Sequence, residues 1–111
     1  MTTKKSVLDI ALETTGATTV LSAAGSLDIA SVPRLGEAGR KAIALGGGEV
    51  VIDVSGLVMC DSTGLGMLVR LHREARGAGQ VLSIRNPRRH VADLLAMTGI
   101  NKVIPVLSTD D

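Results

Sequence analysis

The chain has 111 residues, of which 45% are apolar and 21% charged, and its 12 basic and 11 acidic side chains give a net charge of +1. This length and composition predict one globular domain, residues 1–111, rather than a disordered chain. The chain contains no Phe, Tyr or Trp, which excludes base-stacking platforms for nucleic acids and aromatic anchors for membranes, and its near-zero charge argues against bulk attraction to either.

The hydropathy pattern and the turn residues predict eight elements in the order β-β-α-β-α-β-α-β. A hairpin of two strands, with its turn at residues 14–17, is followed by three helices that alternate with three strands. The predicted strands are residues 7–13, 18–24, 50–54, 81–84 and 103–107. The predicted helices run from the N-cap Ser31 to Gly46, from Ser62 to Arg76, and from Asn86 to Gly99.

Three strand–helix–strand units require a mostly parallel sheet with right-handed crossovers, and the hairpin makes the first strand an antiparallel edge strand. The predicted fold class is therefore α/β, in a single small domain. Because parallel strands align their carboxyl ends, segments 25–31, 55–61 and 85–90 are expected along one rim of the sheet. Open α/β sheets favour that rim for ligand and partner sites.

The segment from Asp53 to Gly66 joins a strand predicted to be covered on both faces to the start of the second helix. Asp61 and Ser62 are both good N-cap residues, because their side-chain oxygens accept hydrogen bonds from the free N–H groups of the first turn. Gly64 and Gly66 each cost a helix roughly 1 kcal/mol relative to Ala. Two glycines at this place indicate either tight internal packing or the close approach of another surface.

A rotation of 100° per residue separates two faces of the second helix. The face predicted to pack in the core comprises Leu65, Leu68, Val69, His72 and Arg76, with the head of Arg76 emerging at the end. The opposite face is contiguous with Ser62 and comprises Thr63, Gly66, Met67 and Arg70. Met67 has two interpretations, a soft contact for a partner or a filler of a gap between packed elements.

Other reactive side chains receive structural interpretations. His72 is predicted to be a hydrogen-bonded or partly exposed residue at the edge of the core, and Cys60 a small hydrophobic residue. A basic cluster surrounds the start of the third helix and is predicted to be a solvated rim rather than a phosphate site. It comprises Arg85, Arg88, Arg89 and His90.

The sequence completes no motif for catalysis or for a cofactor. Gly64 and Gly66 lack the third glycine of a dinucleotide fingerprint, no Gly-Lys-Ser/Thr forms a P-loop, and Ser62 lies in no G-x-S-x-G elbow. One Cys and two His cannot form a four-ligand zinc site without acidic ligands. No apolar run approaches the roughly 18 residues of a membrane span. We therefore expect a cytoplasmic protein that is not an enzyme and has no cofactor, metal or membrane insertion.

Four blocks of the sequence resemble STAS domains, and within these the bacterial anti-sigma factor antagonists. The blocks are Asp53-x-Ser-Gly-Leu, Asp61-Ser62-Thr63-Gly64-Leu65-Gly66, Gly25-Ser-Leu-Asp28 and Leu94-Leu95…Thr98-Gly99-Ile100. The resemblance covers essentially the whole chain, and the block that begins at Asp61 is the most specific. Cys60 departs from the family pattern, in which a larger apolar residue is usual.

The resemblance implies a partner-switching regulator of transcription. In its unphosphorylated form such a protein binds a cognate anti-sigma factor, which is also an ATP-dependent serine kinase, and thereby frees a sigma factor. Phosphorylation at the Ser that matches Ser62 switches the antagonist off, and a phosphatase of the PP2C type restores it. The protein itself is not expected to contact nucleic acid. Thr63 stands where many relatives have a second Ser and is the alternative acceptor. The predicted partner-binding residues are Asp28, Asp61, Ser62, Thr63, Gly64, Gly66, Met67 and Arg70.

Two other functions stay open at the level of sequence. Within the same family, the chain is alternatively a STAS subunit that is never phosphorylated, in a lipid-transport or other signalling assembly. The rim beside Ser62 is alternatively a nucleotide site. An enzyme that uses Asp61, Ser62 or Cys60 is disfavoured, since nothing supplies a base or a metal.

Overall fold

The computed structural model describes residues 8–108, which form one mixed sheet and three helices. The strands are β1 (Leu8–Thr15), β2 (Thr18–Leu27), β3 (Glu49–Cys60), β4 (Val81–Arg85) and β5 (Val106–Leu107). The helices are α1 (Val32–Ala44), α2 (Ser62–Gly77) and α3 (Arg89–Met97), with a short 3-10 helix at Ile100–Lys102. No helix within residues 8–108 is both long and apolar enough to cross a membrane.

The sheet has the order β1-β2-β3-β4-β5, with β1 antiparallel to β2 and every other pair parallel. This arrangement confirms the predicted α/β fold class and the antiparallel first strand. Gly16, at φ 62°, lies in the tight turn between β1 and β2. Because each right-handed crossover moves one strand further in the same direction, all three helices belong on one face of the sheet.

The hydrophobic core lies between that face and the helices. Alternate residues of the central strands point into it, among them Leu21, Ile52 and Ile84. Leu71 of α2 packs so closely on α1 that a Cβ at Gly39 would stand 2.5 Å from its Cδ1. Every residue from 50 to 54 is buried, as predicted, but the helices cover this strand on one face only.

The rim at the carboxyl ends of the strands is stepped, which corrects the predicted single rim. β3 does not end at Val54 but continues to Cys60, and β2 continues to Leu27, because their backbones stay paired to these last residues. β4 ends at Arg85, which pairs with Asp53 in β3. The seven further residues of β3 extend roughly 20 Å. Segment 85–90 therefore lies far from the end of β3.

The buried face of α2 is rotated relative to the predicted one. Leu65, Leu68 and His72 are buried and Arg76 emerges from the core, as predicted, but Val69 is only half-buried. The side chains that complete the buried face are Gly64, Leu71 and Ala75. The physical reason is that α2 also packs on α1, where Leu71 contacts Gly39, and this contact moves the buried face toward the side of Leu71.

The C-terminal elements are shorter than predicted. α3 begins at Arg89 rather than Asn86 and ends at Met97, where Gly99 at φ 78° reverses the chain. The last strand is only Val106–Leu107, because the N–H groups of Val103 and Ile104 bond back to the carbonyl of Ile100 and Pro105 has no N–H for a ladder. Val7, predicted in the first strand, and the tail residues 109–111 lie outside the described residues.

Candidate protein-interaction site

Asp61 caps the N-terminus of α2. It has extended backbone angles, and its Oδ1 accepts hydrogen bonds from the N–H of Gly64 at 3.1 Å and from the hydroxyl of Thr63 at 2.6 Å. Hydrogen bonds from the Thr63 hydroxyl and the Gly64 N–H hold the pKa of Asp61 below its usual value, although the like charge of Asp28 raises it. Asp61 is therefore an anion at neutral pH.

Ser62 occupies the first position of α2. Ser62 is exposed, and within residues 8–108 its hydroxyl has no hydrogen-bond partner. The cap interpretation is thus correct for Asp61 and wrong for Ser62. Because the N-terminal end of a helix carries partial positive charge, this position is electrostatically suited to an added anionic group.

Asp28 lies beside Asp61 because β2 and β3 end together. The N–H of Asp61 donates to the carbonyl of Leu27 at 3.1 Å, which places the two acidic residues after neighbouring strand ends. Asp28 is half-buried, and its Oδ1 accepts from the N–H groups of Ala30 at 3.0 Å and Ser31 at 3.1 Å. The loop that holds Asp28 is therefore ordered by its own side chain.

Ser31 does not cap α1 through its side chain, although it occupies the N-cap position. Its hydroxyl instead donates to the carbonyl of Ser26 at 2.8 Å and accepts from the N–H of Asp28 at 3.0 Å. These bonds tie the Asp28 loop to the end of β2. The prediction of Ser31 as an N-cap is correct for its position and wrong for the role of its hydroxyl.

The two glycines in the first turns of α2 have different causes. A Cβ at Gly64 would lie 2.6 Å from Cγ of Leu27 and 3.1 Å from Sγ of Cys60, both of which are buried. Gly64 is therefore required by internal packing. A Cβ at Gly66 would meet nothing within 4 Å, and Gly66 is exposed. Packing within the described residues does not explain Gly66.

Cys60 is a buried hydrophobic residue under the start of α2, as predicted. Burial, and secondarily the charge of Asp61, raises the pKa of its thiol to about 11. Since the thiolate is the reactive form, Cys60 is unsuited to nucleophilic chemistry at neutral pH.

Met67 and Arg70 lie next to Thr63 and Gly66 on the outer side of α2. Met67 is half-buried, and its Cε lies 3.0 Å from the place that a Cβ of Gly36 in α1 would occupy. Met67 therefore fills the gap between the two helices and exposes its remaining surface. Arg70 is exposed.

Exposed apolar side chains near the two carboxylates were missed by the sequence reasoning. Ile29, which follows Asp28, is 73% exposed, and Val58, three residues before Asp61, is 51% exposed. Met59, two residues before Asp61, is 39% exposed. The sequence did contain a signal for this surface, namely apolar residues within segments predicted to be loops, where solvent-exposed positions favour polar residues.

A family model described as Mlab, STAS domain matches residues 10–107. The chain belongs to the STAS-domain family. Among curated protein sequences, none matches this STAS domain significantly. The resemblance to STAS domains that the sequence blocks carry is thereby confirmed.

Solved structures of anti-sigma factor antagonists share the fold of this STAS domain. One, from Mycobacterium paratuberculosis, is 24% identical, with 91% of this chain and 86% of that chain covered and a TM-score of 0.77. The antagonist SpoIIAA in its unphosphorylated form is 23% identical, with 88% and 87% covered and a TM-score of 0.74. The phosphorylated form of the Bacillus cell fate determinant SpoIIAA is 21% identical, with 88% and 90% covered and a TM-score of 0.69. At these identities the likeness establishes the fold.

The basic cluster of this STAS domain is only partly a solvated rim. Arg85 donates to Oδ2 of Asp53 at 2.8 Å, and Arg88 donates to the carbonyl of Ser55 at 2.8 Å. Burial raises the pKa of Asp53, but hydrogen bonds from Ser55 and Arg85 outweigh it and leave the pKa below the usual value. The solvated interpretation is correct for the exposed Arg89 and His90 and wrong for Arg85, which binds a buried carboxylate.

His72 is buried without a hydrogen bond, which corrects its interpretation as a bonded or partly exposed residue. Neither ring nitrogen has a partner in the part of the chain that the structure describes, although the ring lies near the backbone of Leu82. Burial, with the charges of Arg76 and Arg73, lowers the pKa of His72. His72 is therefore a neutral core residue. Within residues 8–108, no cluster of His, Cys, Asp and Glu could hold a metal ion.

Proposed function

We propose that this STAS domain is an anti-sigma factor antagonist, a non-enzymatic switch of the bacterial cytoplasm. When Ser62 is unphosphorylated, the protein binds an anti-sigma factor that is also a serine kinase and so frees a sigma factor. The observation that carries the proposal is the exposed hydroxyl of Ser62 at the start of α2, which has no hydrogen-bond partner among residues 8–108 and lies beside the carboxylates of Asp61 and Asp28.

Phosphorylation of Ser62 changes charge rather than fold. A phosphoryl group adds about −1.5 to −2 charges, which the N-terminus of α2 tolerates. With Asp28 and Asp61 nearby, the added group makes this corner strongly acidic and reverses the +1 net charge of the chain. A kinase surface that accommodates the neutral serine is then repelled, and desolvation adds to the cost. Binding falls by one or more factors of ten. A phosphatase of the PP2C type restores the binding form.

The proposed partner surface consists of residues from both strand ends and from the outer side of α2. Asp28, Asp61, Ser62 and Thr63 supply its polar part, and the N–H of Gly64 fixes the Asp61 carboxylate. On α2 the surface continues over three residues that are exposed or half-buried. These are Gly66, Met67 and Arg70. With no aromatic anchors in the chain, affinity depends on close approach and on the charge at Ser62.

Support also comes from the solved relatives. SpoIIAA has been seen in an unphosphorylated and a phosphorylated form, and this chain shares the fold of both. A domain of this shape therefore accepts a phosphate without losing its architecture, which is what the proposed switch requires.

The test is reconstitution with candidate anti-sigma factor kinases and ATP, followed by mass spectrometry and binding measurements. We expect one phosphate on Ser62, no phosphate on Ser62→Ala, and constitutive kinase binding by Ser62→Ala. Ser62→Asp should bind at least about tenfold more weakly, whereas Ser108→Asp, the same change at an exposed serine after β5, should bind as the wild type does. A phosphate mapped to another residue, with Ser62 unmodified, contradicts the mechanism.

A second candidate function is a STAS subunit that is never phosphorylated, in a lipid-transport or other signalling assembly. The exposed apolar Ile29 and Val58 favour it, because such side chains suit a permanent interface. The same reconstitution separates the two functions. A static subunit gains no mass from any kinase, and Ser62→Ala and Ser62→Asp assemble equally well.

A further inference from the structure

A groove runs between α1 and α2 and leads to the proposed switch residue. Its main part has a volume of about 620 Å³ and is open along one side, with Val32, Met67 and Arg70 in its lining. The same three residues line a second depression of about 290 Å³, which also includes Thr63 and Gly66. The groove thus ends beside Ser62.

The floor of the groove is apolar. Its apolar lining consists of Val32, Pro33 and Ala44 of α1 and Met67 of α2. Met67 rests on the bare backbone of Gly36, which brings the two helices close together beneath the groove. A flexible thioether on such a floor adapts to the apolar face of a partner.

The walls of the groove are basic. Arg40, Lys41 and Arg70 line it, against the single carboxylate of Glu37. Arg40 is bound to Glu74 at 3.1 Å, with both side chains partly exposed. Lys41 and Arg70 are exposed and form no ion pair with another residue in 8–108. Two cations are therefore free to meet anionic groups of a partner.

We propose that this groove docks an acidic amphipathic helix of the anti-sigma factor kinase. The apolar floor matches the apolar face of such a helix, and Lys41 and Arg70 match acidic side chains along its edges. The 13 residues of α1 give the groove a length of roughly 20 Å, which holds between three and four helical turns. The inference rests on the proposed function and adds a second, phosphate-independent contact beside Ser62.

The test compares two double charge reversals in the full chain, with a kinase chosen because it phosphorylates Ser62. Lys41→Glu/Arg70→Glu alters the groove, and Arg89→Glu/Lys102→Glu makes the same charge change at exposed positions outside it. At low salt we expect the groove variant to lose affinity on the order of 30-fold and the control less than about threefold. Circular dichroism melting verifies that both variants fold.

Amide hydrogen exchange of the wild-type complex locates the contact. We expect kinase binding to protect residues 36–44 and 63–70, and this protection to weaken at high salt. Equal affinity of both double variants, or protection confined to the start of α2, overturns the proposed docking in the groove but leaves the proposed switch at Ser62 intact. If no kinase phosphorylates Ser62, the proposed function itself fails. Co-sedimentation of the wild type, but not of the groove variant, with phosphatidylglycerol vesicles overturns the proposal in favour of a lipid ligand.

Discussion

The carboxylate of Asp61 accepts a hydrogen bond from the hydroxyl of Thr63 at 2.6 Å. This bond gives the adjacent hydroxyl groups of Ser62 and Thr63 different surroundings. The Thr63 oxygen is held by the cap of α2, whereas the Ser62 oxygen points away from any partner within residues 8–108. Transfer of a phosphate to Thr63 would break the hydrogen bond from its hydroxyl to Asp61, but transfer to Ser62 breaks no hydrogen bond within residues 8–108.

The first prediction concerns the acceptor. Thr63→Ala should leave phosphorylation at Ser62 intact, because Asp61 still accepts from the N–H of Gly64. The variant should lose only about 1 kcal/mol of stability with the hydroxyl. Mass spectrometry after incubation with kinase and ATP measures the result, with Ser62→Ala as the control. Phosphate that disappears in Thr63→Ala and persists in Ser62→Ala would reverse the assignment.

The second prediction concerns stability and uses the two glycines as a matched pair. Gly64→Ala forces a Cβ against the buried side chains of Leu27 and Cys60, which should lower the free energy of unfolding by about 1–2 kcal/mol. Gly66→Ala meets open space and should raise it by up to about 1 kcal/mol through helix propensity. Urea denaturation of the free protein measures both. Equal effects of the two substitutions would show that packing under Gly64 is not tight.

The third prediction concerns the partner surface at Gly66. Gly66→Gln adds a side chain where the kinase is proposed to approach, and Gly77→Gln adds the same side chain at the far end of α2, also into open space. We expect Gly66→Gln to weaken kinase binding at least about tenfold and Gly77→Gln to leave it unchanged. Calorimetric titration measures both affinities. Wild-type affinity for Gly66→Gln would remove Gly66 from the interface.

The fourth prediction concerns the pH dependence of stability. Because the pKa of His72 is lowered in the folded protein, the unfolded chain binds the proton more tightly, and stability falls as pH drops below about 6.5. His72→Leu removes this titrating group, so the urea midpoint should change less between pH 7.5 and pH 5.5 than it does in the wild type. The exposed His90 provides the control His90→Gln, which should retain the wild-type slope. The same slope in His72→Leu would contradict a neutral buried imidazole.

The element order and the strand hairpin could be read from the sequence because their causes are local. Apolar periodicity, the turn at Gly16 and the helix end at Gly99 each depend on a few consecutive residues. The position of Asp61 at the start of α2 was predicted in the same way, because Asp is a good N-cap residue and directly precedes the helical pattern. The family blocks added the prediction of Ser62 as acceptor and of its partners, which periodicity does not indicate.

The tertiary structure decided what depends on contacts between distant residues. β3 runs past Val54 because the end of β2 supplies hydrogen bonds up to the pair of Leu27 and Cys60, and no local pattern encodes that length. The same pairing places Asp28 beside Asp61. Burial of His72 likewise follows from the packing of α2 on its neighbours.

The amino-acid sequence by itself determined a small α/β domain without aromatic residues, with a Ser-Thr pair at a strand–helix junction. Only the tertiary structure showed that the hydroxyl of Thr63, unlike that of Ser62, is bonded within residues 8–108, and that Gly64, unlike Gly66, is packed against buried side chains. It did so because hydrogen bonding and steric contact depend on the three-dimensional position of each side chain, which residue type and spacing leave open. The +1 net charge does not show how the charges are distributed. The structure places Lys41 and Arg70 in one groove that leads to the acidic corner at Asp61.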